Sequence, residues 1–211
     1  MIESARELFF RYGIRSVTMD ELARHLGVSK KTLYQHFKDK ADLVAAVTRL
    51  QIEEESCFIE QVQSDSDNAI DEVIKISEYV RAMFRQFHPS LLFDLRKYYP
   101  NSWRLFIQHK QGRMLQSIEA NIARGIQEGL YRQGINPKIL ARVRMELIQI
   151  TLDAEVFSPT AFDLWEVQVQ VFDHYVHGIT SPQGRSLWEQ YTQNSHHSSP
   201  FISKNTDTGN L

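Results

Sequence analysis

Apolar residues recur at helical spacing along most of this 211-residue chain. They return every three or four positions, which is the period of an amphipathic helix, and no stretch shows the alternation that a half-buried strand requires. Only six prolines and nine glycines interrupt the pattern. The sequence therefore predicts an all-α protein with an N-terminal head of three short helices, followed by a helical-bundle body.

The predicted helices are separated by glycine, proline and polar stretches. Predicted helices cover residues 2–12, two short segments within 17–40, one long segment from about residue 39 to the polar stretch 63–68, and then 69–87, 90–99, 101–127, 138–157, 161–178 and 183–193. We expect a boundary between a head at 1–48 and a body at 49–193. The Ser-, Asn- and His-rich residues 194–211 have little to bury and predict a flexible tail.

Residues 17–40 carry the strongest local signals. Thr18 followed by Glu21 is a capping box, which starts a helix. Gly27 stands where a left-handed residue lets the chain leave that helix, and Ser29 can cap the next one. Two short helices joined by such a turn form a helix-turn-helix, whose second helix enters the major groove of DNA.

The second of these helices is predicted to present cations and hydrogen-bonding side chains outward, because Leu33 and Phe37 face the core. Lysines at its start can reach guanine acceptors or phosphate, threonine can touch a base edge, and tyrosine, histidine and Lys40 suit phosphate oxygens. The candidate DNA-binding residues are Thr18, Ser29, Lys30, Lys31, Thr32, Tyr34, Gln35, His36 and Lys40. Packing for Tyr34 and helix capping for His36 are the alternative roles.

The net charge of −2 by itself argues against a nucleic-acid partner, but the charge is unevenly distributed. Residues 1–49 hold nine Lys and Arg against six Asp and Glu, which leaves fifteen cations and twenty anions for the rest. A basic end on an acidic body fits a DNA-binding head attached to a sensor or dimerisation domain.

Several other classes of function find no support in the sequence. No apolar run reaches the roughly 18 residues of a membrane span, and Cys57 is the single cysteine, so we expect a cytoplasmic protein without a membrane partner. His174 and His177 lie one helical turn apart, but no acid or cysteine motif accompanies them, and no metal is expected. We see no nucleophile–base motif, paired carboxylates or phosphate loop, and therefore expect no enzyme, no catalytic residue and no cofactor.

Residues 3–48 resemble the tetracycline-repressor (TetR) family of bacterial transcriptional regulators. The resemblance is carried by Leu8-Phe9-x-x-Tyr12-Gly13, Thr18-x-x-x-Leu22-Ala23, Leu26-Gly27-Val28-Ser29 and Thr32-Leu33-Tyr34-x-His36-Phe37-x-x-Lys40. It implies a homodimer that binds a partly palindromic double-stranded operator, usually represses a nearby gene, and releases the DNA when a small effector occupies the body. The family commonly has a basic arm before the first helix; with Met1 alone ahead of it here, we expect the recognition helix and its flanks to supply the contacts.

The resemblance also makes the aromatic-rich body a candidate site for a mainly hydrophobic effector, although core packing is the simpler role for any single aromatic residue. The candidate pocket residues are Phe84, Phe87, Phe93, Tyr98, Trp103, Phe106, Phe157 and Trp165. The last two long helices are the candidate dimer face, because members of this family pair such helices into a four-helix bundle. The candidate interface residues, for which an internal core is the alternative, are Val143, Leu147, Ile150, Val167, Val171 and Tyr175.

Functions from different classes remain open at this point. The leading interpretation is a ligand-responsive, dimeric DNA-binding repressor. The alternative is a helical ligand-binding or protein-interaction bundle with a vestigial helix-turn-helix, and a helical enzyme is a weaker third. Lys30, Lys31 and Lys40 favour the first, since a vestigial head has no need of this pattern of cations.

Overall fold

The computed structural model describes residues 1–88, 90–151, 153, 155–158 and 160–195, and within these ranges the chain contains helices and no strands, which confirms the predicted all-α class. The helices are α1 (Ile2–Tyr12), α2 (Met19–His25), α3 (Lys30–His36), α4 (Lys40–Asp65), α5 (Ala69–Gln86), α6 (Leu91–Tyr98), α7 (Pro100–His109), α8 (Leu115–Gln127), α9 (Pro137–Ile150), α10 (Leu164–Ile179) and α11 (Pro182–Ser195). A π-helical segment, Lys110–Met114, joins α7 to α8. No helix among the described residues has the length and apolar character needed to cross a membrane. Most of the predicted tail, residues 196–211, lies outside the described residues.

The chain divides into two compact units. The first contains residues 1–65 and 75–118, and the second contains residues 66–74 and the chain from residue 119 onward. The predicted boundary at residue 48 falls inside α4, which continues without a break to Asp65. The first unit therefore contains α1 to α4, the larger part of α5, and α6 and α7.

One apolar core holds the head together. Phe9 of α1, Leu22 of α2 and Leu33 of α3 are almost completely buried in it. Complete burial of such a side chain stabilises the folded chain by about 1.5–3 kcal/mol. The same core includes Leu43, Val44 and Val47 of α4 and Leu91 and Leu95 of α6. The three-helix head thus shares its core with two later helices of its unit.

Two predicted helices differ most clearly from the structure. The helix predicted over 138–157 ends at Ile150, because polar side chains beyond it hydrogen-bond locally and compete with helix continuation. The Thr151 hydroxyl donates to the carbonyl of Ile148 at 2.8 Å, and the Asp153 carboxylate accepts the N–H of Glu155 at 2.9 Å. The helix predicted over 101–127 is continuous but contains the π-helical segment.

The second unit is organised around a buried tyrosine. The hydroxyl oxygen of Tyr131 lies 2.9 Å from the Asn121 side-chain oxygen and 3.2 Å from the Ala69 carbonyl oxygen, and its one proton can be donated to either. A buried polar group of this kind requires such partners, because a missing one costs about 1–3 kcal/mol. The contacts join the start of α5, the middle of α8 and the segment that follows α8.

Candidate nucleic-acid interface

The helix-turn-helix begins at the predicted capping box. Thr18 has an extended backbone (φ −92°, ψ 159°), and its Oγ1 accepts the N–H of Glu21 at 3.2 Å. The Glu21 carboxylate accepts the backbone N–H of Thr18 at 2.7 Å and its hydroxyl at 2.9 Å, and these bonds lower the pKa of Glu21. Two donors at the start of α2 are thereby satisfied. The Thr18 hydroxyl is thus engaged in its own cap in the free protein.

The turn between α2 and α3 depends on Gly27, whose φ of 65° lies in the left-handed region that favours glycine. The N–H of Val28 donates to the carbonyl of Ala23 at 3.0 Å and closes the end of α2. A Cβ atom at Gly27 would meet nothing within 4 Å. The need for glycine at this position is therefore conformational and not steric.

Ser29 caps the start of α3. Its Oγ accepts the N–H of Thr32 at 3.0 Å and lies 2.8 Å from the Thr32 hydroxyl. Leu33 is fully buried, and Phe37, directly after the helix, is 9% exposed. These two anchors, four residues apart, fix the rotation of α3 about its axis. Ser29 accordingly has a structural role, and the Thr32 hydroxyl is shared with it.

One face of α3 is open to solvent. Tyr34 is 44% exposed, which argues against the packing role that the sequence left open for it. Thr32, which shares its hydroxyl with the cap, is half-buried. The exposed candidates on this helix are Lys30, Lys31, Tyr34, Gln35 and His36. We call these five side chains the α3 face; they can offer cations, hydroxyl, amide and imidazole groups to a ligand.

Lys30 is paired across the motif. Its Nζ lies 2.7 Å from the Asp20 carboxylate on α2, and this hydrogen bond raises the pKa of Lys30. Both side chains are more than half exposed. Exposed ion pairs are weak and are screened by salt, so the lysine can exchange this carboxylate for a phosphate.

Lys40 is more enclosed than the sequence indicates. Its Nζ donates to the carbonyl of Arg15 at 3.4 Å and lies 6.0 Å from the centroid of the Phe9 ring. Burial lowers the pKa of Lys40, although the carboxylates of Asp94 and Glu21 act in the opposite direction. Lys40 therefore contacts the loop after α1 through the Arg15 carbonyl, and its ammonium group is less available to phosphate than those of the lysines of α3.

Lys38 is an exposed cation that the helical pattern does not single out. It lies in the segment between α3 and α4, so helical periodicity does not predict which way its side chain faces. Its backbone N–H donates to the Asp42 carboxylate at 3.2 Å. Its position directly after Phe37 is the one sequence signal that marks it. It adds a cation beside the C-terminal end of the α3 face.

The candidate effector residues of the first unit lie in different environments. Phe87 packs edge-on against Phe10 of α1 with a ring separation of 4.5 Å, and Trp103 and Phe106 pack against the core of the head. Phe93, in contrast, is 57% exposed. Tyr98 is also exposed, and Phe84 has a side chain outside the described part of the structure. The candidates of this unit whose side chains are described therefore do not line one aromatic pocket.

A cavity of about 740 Å³ opens in the first unit between α1, α4 and α5. Among the candidate effector residues with described side chains, Phe87 lines it. Phe157 and Trp165 belong to the second unit, where Phe157 follows α9 and lies edge-on to Phe162 at 5.4 Å. The sequence pattern does not indicate this cavity, because its walls come from segments far apart in the chain.

The candidate dimer residues differ in how much of their side chains is exposed on the single chain. Val143 and Ile150 on α9 are each 42% exposed, and Leu147 and Val171 are half-buried. Val167 and Tyr175 are buried within the single chain; burial raises the pKa of Tyr175 to about 12. The available apolar surface accordingly lies on α9, where Ile139 adds another exposed side chain. Both buried residues leave little surface for a second chain to cover.

Comparison with known families and sequences identifies relatives of the head. Residues 1–47 match the family model for bacterial regulatory proteins of the tetR family. An HTH-type transcriptional regulator of Staphylococcus aureus (strain MRSA252) is 32% identical over 90 residues, which is 43% of this chain and 48% of that protein. The chain thus spans about half the length of this relative. These names indicate transcriptional regulators and not enzymes.

Solved structures resemble the fold over most of the chain. A TetR-family transcriptional regulator from Agrobacterium tumefaciens has a TM-score of 0.71 and 17% identity, covering 85% of this chain and 95% of that one. SmeT, the repressor of a Stenotrophomonas maltophilia multidrug efflux pump, has a TM-score of 0.65 and 18% identity, covering 86% and 89%. At these identities the likeness establishes the fold alone.

Proposed function

We propose that this chain, a member of the TetR family of bacterial regulatory proteins, is a ligand-responsive DNA-binding transcriptional regulator. The observation that carries the proposal is the α3 face, held outward by Leu33 and Phe37 on a helix-turn-helix with capped helices. In such a motif the second helix lies in the major groove, and flanking contacts to phosphate set its register.

The side chains of the α3 face suggest a division of roles. Lys31 and Gln35 are exposed and suit base edges, because lysine can reach guanine acceptors and glutamine can bond adenine at two positions. Tyr34 and His36 suit phosphate oxygens. Lys30 joins them once it exchanges Asp20 for the DNA backbone.

We further propose a homodimer that represses a nearby gene from a partly palindromic operator. Exposed Ile139, Val143 and Ile150 on α9 support the dimer, because contiguous apolar surface marks interaction sites. A two-fold symmetric protein also matches a palindromic site, with one head for each half-site. The regulator would act in the bacterial cytoplasm, and a small, mainly hydrophobic effector would release it from the operator.

Selection of bound sites from random DNA, using the 211-residue chain, tests the DNA-binding proposal. Affinity for the selected site is then measured against salt for the wild type and for Lys31→Ala. We expect weaker binding, and a salt slope lower by about one if Lys31 contacts a phosphate. Arg104→Ala, at an exposed arginine of α7, is the charge-matched control and should leave both quantities unchanged.

Two results would count against the proposal. If no site is retained against competitor DNA, the bundle with a vestigial helix-turn-helix becomes the better account. If light scattering finds a monomer at micromolar concentration, the homodimer is refuted.

A further inference from the structure

The cavity between α1, α4 and α5 lies directly against the DNA-binding head. Its volume of about 740 Å³ falls within the roughly 300–1,000 Å³ typical of small-molecule sites. All of its walls belong to the first unit. A molecule bound there would touch α1, which shares its core with α2 and α3.

The cavity has an apolar wall. Phe10 of α1 and Met83 and Phe87 of α5 contribute to it. The rings of Phe10 and Phe87 meet edge-on at an interplanar angle of 70°, and the Gln51 amide donates to the Met83 sulfur at 3.5 Å. This wall suits an aliphatic or aromatic body, since burying apolar area drives such binding.

The polar lining carries more cations than anions. Three arginines face two glutamates, and one pair of opposite charges is already joined, because Arg6 of α1 bridges to Glu54 of α4. Arg11, Arg85 and Glu7 are the other charged side chains of the lining, and all three are exposed to solvent. The lining therefore has a net charge of +1, which a monoanion would neutralise. Guanidinium groups bind carboxylates with paired hydrogen bonds.

Tyr79 adds a hydrogen-bond donor to the same cavity. Its ring stacks on Phe58 at 4.1 Å, and burial, together with the nearby Glu55 carboxylate, raises the pKa of Tyr79. The hydroxyl therefore stays protonated at neutral pH and can donate to an anionic oxygen.

We propose that this cavity binds a small amphipathic carboxylate and that its occupation alters the DNA-binding head. The apolar body packs on Phe10, Met83 and Phe87, while Arg11 and Arg85 receive the carboxylate. The N–H of His88, just after α5, donates to the carbonyl of Phe10 on α1. A molecule bound here would contact both segments and could shift α1 relative to the end of α5. The effect on DNA rests on the proposed function, whereas the binding itself does not.

Decanoate is the probe that tests the binding, and decanamide is its uncharged counterpart. In calorimetric titrations of the 211-residue chain we expect saturable decanoate binding, one molecule per chain. Loss of the charged hydrogen bonds should make decanamide bind about tenfold more weakly. Absence of decanoate binding, or equal binding of the two compounds, would overturn the proposal.

Arginine variants locate the site. Arg11→Gln and Arg85→Gln should each weaken decanoate binding about tenfold and leave decanamide nearly unchanged. Arg104→Gln is the matched control, since Arg104 is an exposed arginine of α7 that does not line the cavity. Decanoate affinity that is unchanged in both cavity variants would refute the assignment.

A steric variant provides an independent check. Met83→Trp fills the apolar part of the cavity and should weaken both compounds. Circular dichroism establishes whether this variant folds, and Met83→Phe replaces it if it does not. Undiminished binding to a folded cavity-filling variant would place the compounds elsewhere and refute the proposal.

Operator affinity with and without decanoate separates this inference from the proposed function. If the protein binds no operator even without decanoate, the proposed function fails. If it binds operator but not decanoate, the cavity proposal alone fails. Decanoate that binds without changing operator affinity would overturn the regulatory part.

Discussion

The carboxylate of Asp94 accepts a hydrogen bond from the backbone N–H of Arg15 at 3.0 Å. Asp94 lies on α6 and is 4% exposed, whereas Arg15 lies in the loop between α1 and α2. The Ser90 hydroxyl donates to the same oxygen at 3.4 Å. Since Leu91 and Leu95 of α6 also enter the core of the head, α6 holds the loop that leads into the helix-turn-helix.

Asp94→Ala should lower the free energy of unfolding by about 1–3 kcal/mol, because the N–H of Arg15 loses its buried acceptor. Urea denaturation measures the change. Asp65→Ala, at an exposed aspartate at the end of α4, is the control and should stay within about 0.5 kcal/mol of the wild type. An Asp94→Ala protein as stable as this control would show that the contact does not hold the loop.

Alanine substitutions at two left-handed glycines should differ in cost. Gly27→Ala should cost about 1–2 kcal/mol, because its φ of 65° is unfavourable for alanine while the added Cβ has open space. Gly13→Ala should cost more, since φ is 82° and its Cβ would lie 2.7 Å from the Ser90 hydroxyl. Thermal or urea unfolding gives both values.

A double-mutant cycle isolates the steric part at Gly13. Ser90→Ala removes the crowded hydroxyl, so Gly13→Ala should cost less in that background than in the wild type. Equal costs in the two backgrounds would mean that the backbone conformation alone accounts for the glycine.

Asp20→Asn should raise operator affinity about two- to fivefold. The substitution frees the ammonium of Lys30 from a carboxylate 2.7 Å away and removes a negative charge that would lie near the DNA backbone. Fluorescence anisotropy at low salt measures the gain, which should shrink as salt increases. Lower affinity in the variant would indicate that Asp20 positions Lys30 for binding instead of competing with DNA.

Glu72 should make stability depend on pH. Burial raises its pKa above the ordinary 4.5, although Arg124 lies 3.1 Å away and opposes the shift. The folded chain therefore holds this proton to higher pH than the unfolded chain does. Its contribution is complete below pH 4.5 and is lost as the pH rises through the folded pKa.

Glu72→Gln removes this titration and provides the comparison. Relative to the wild type, the stability of the variant should rise as the pH increases from 4 toward 7 in urea unfolding experiments, since other titrating groups are common to both proteins. A stability difference that does not change with pH would contradict the raised pKa.

The helix-turn-helix can be predicted from the sequence because its signals act within a single turn. Thr18 and Glu21 are three residues apart, as are Ser29 and Thr32, so their hydrogen bonds form wherever the local helix forms. The predicted bounds of α1, 2–12, match the structure for the same reason. Prediction is wrong where local signals compete: the apolar pattern continues past Ile150, but the side-chain bonds of Thr151 and Asp153 end α9 there.

By itself, the sequence determined that the chain is all-α, that residues 17–40 form two capped helices joined by a turn, and that Leu33 and Phe37 face the core. Only the tertiary structure decided which cations are engaged: Lys30 by Asp20, and Lys40 by the Arg15 carbonyl. It also decided that α6 completes the core of the head and that a cavity opens beside α1. The physical reason is that helical periodicity shows which side of a helix is apolar, whereas the element that covers that side comes from distant parts of the chain.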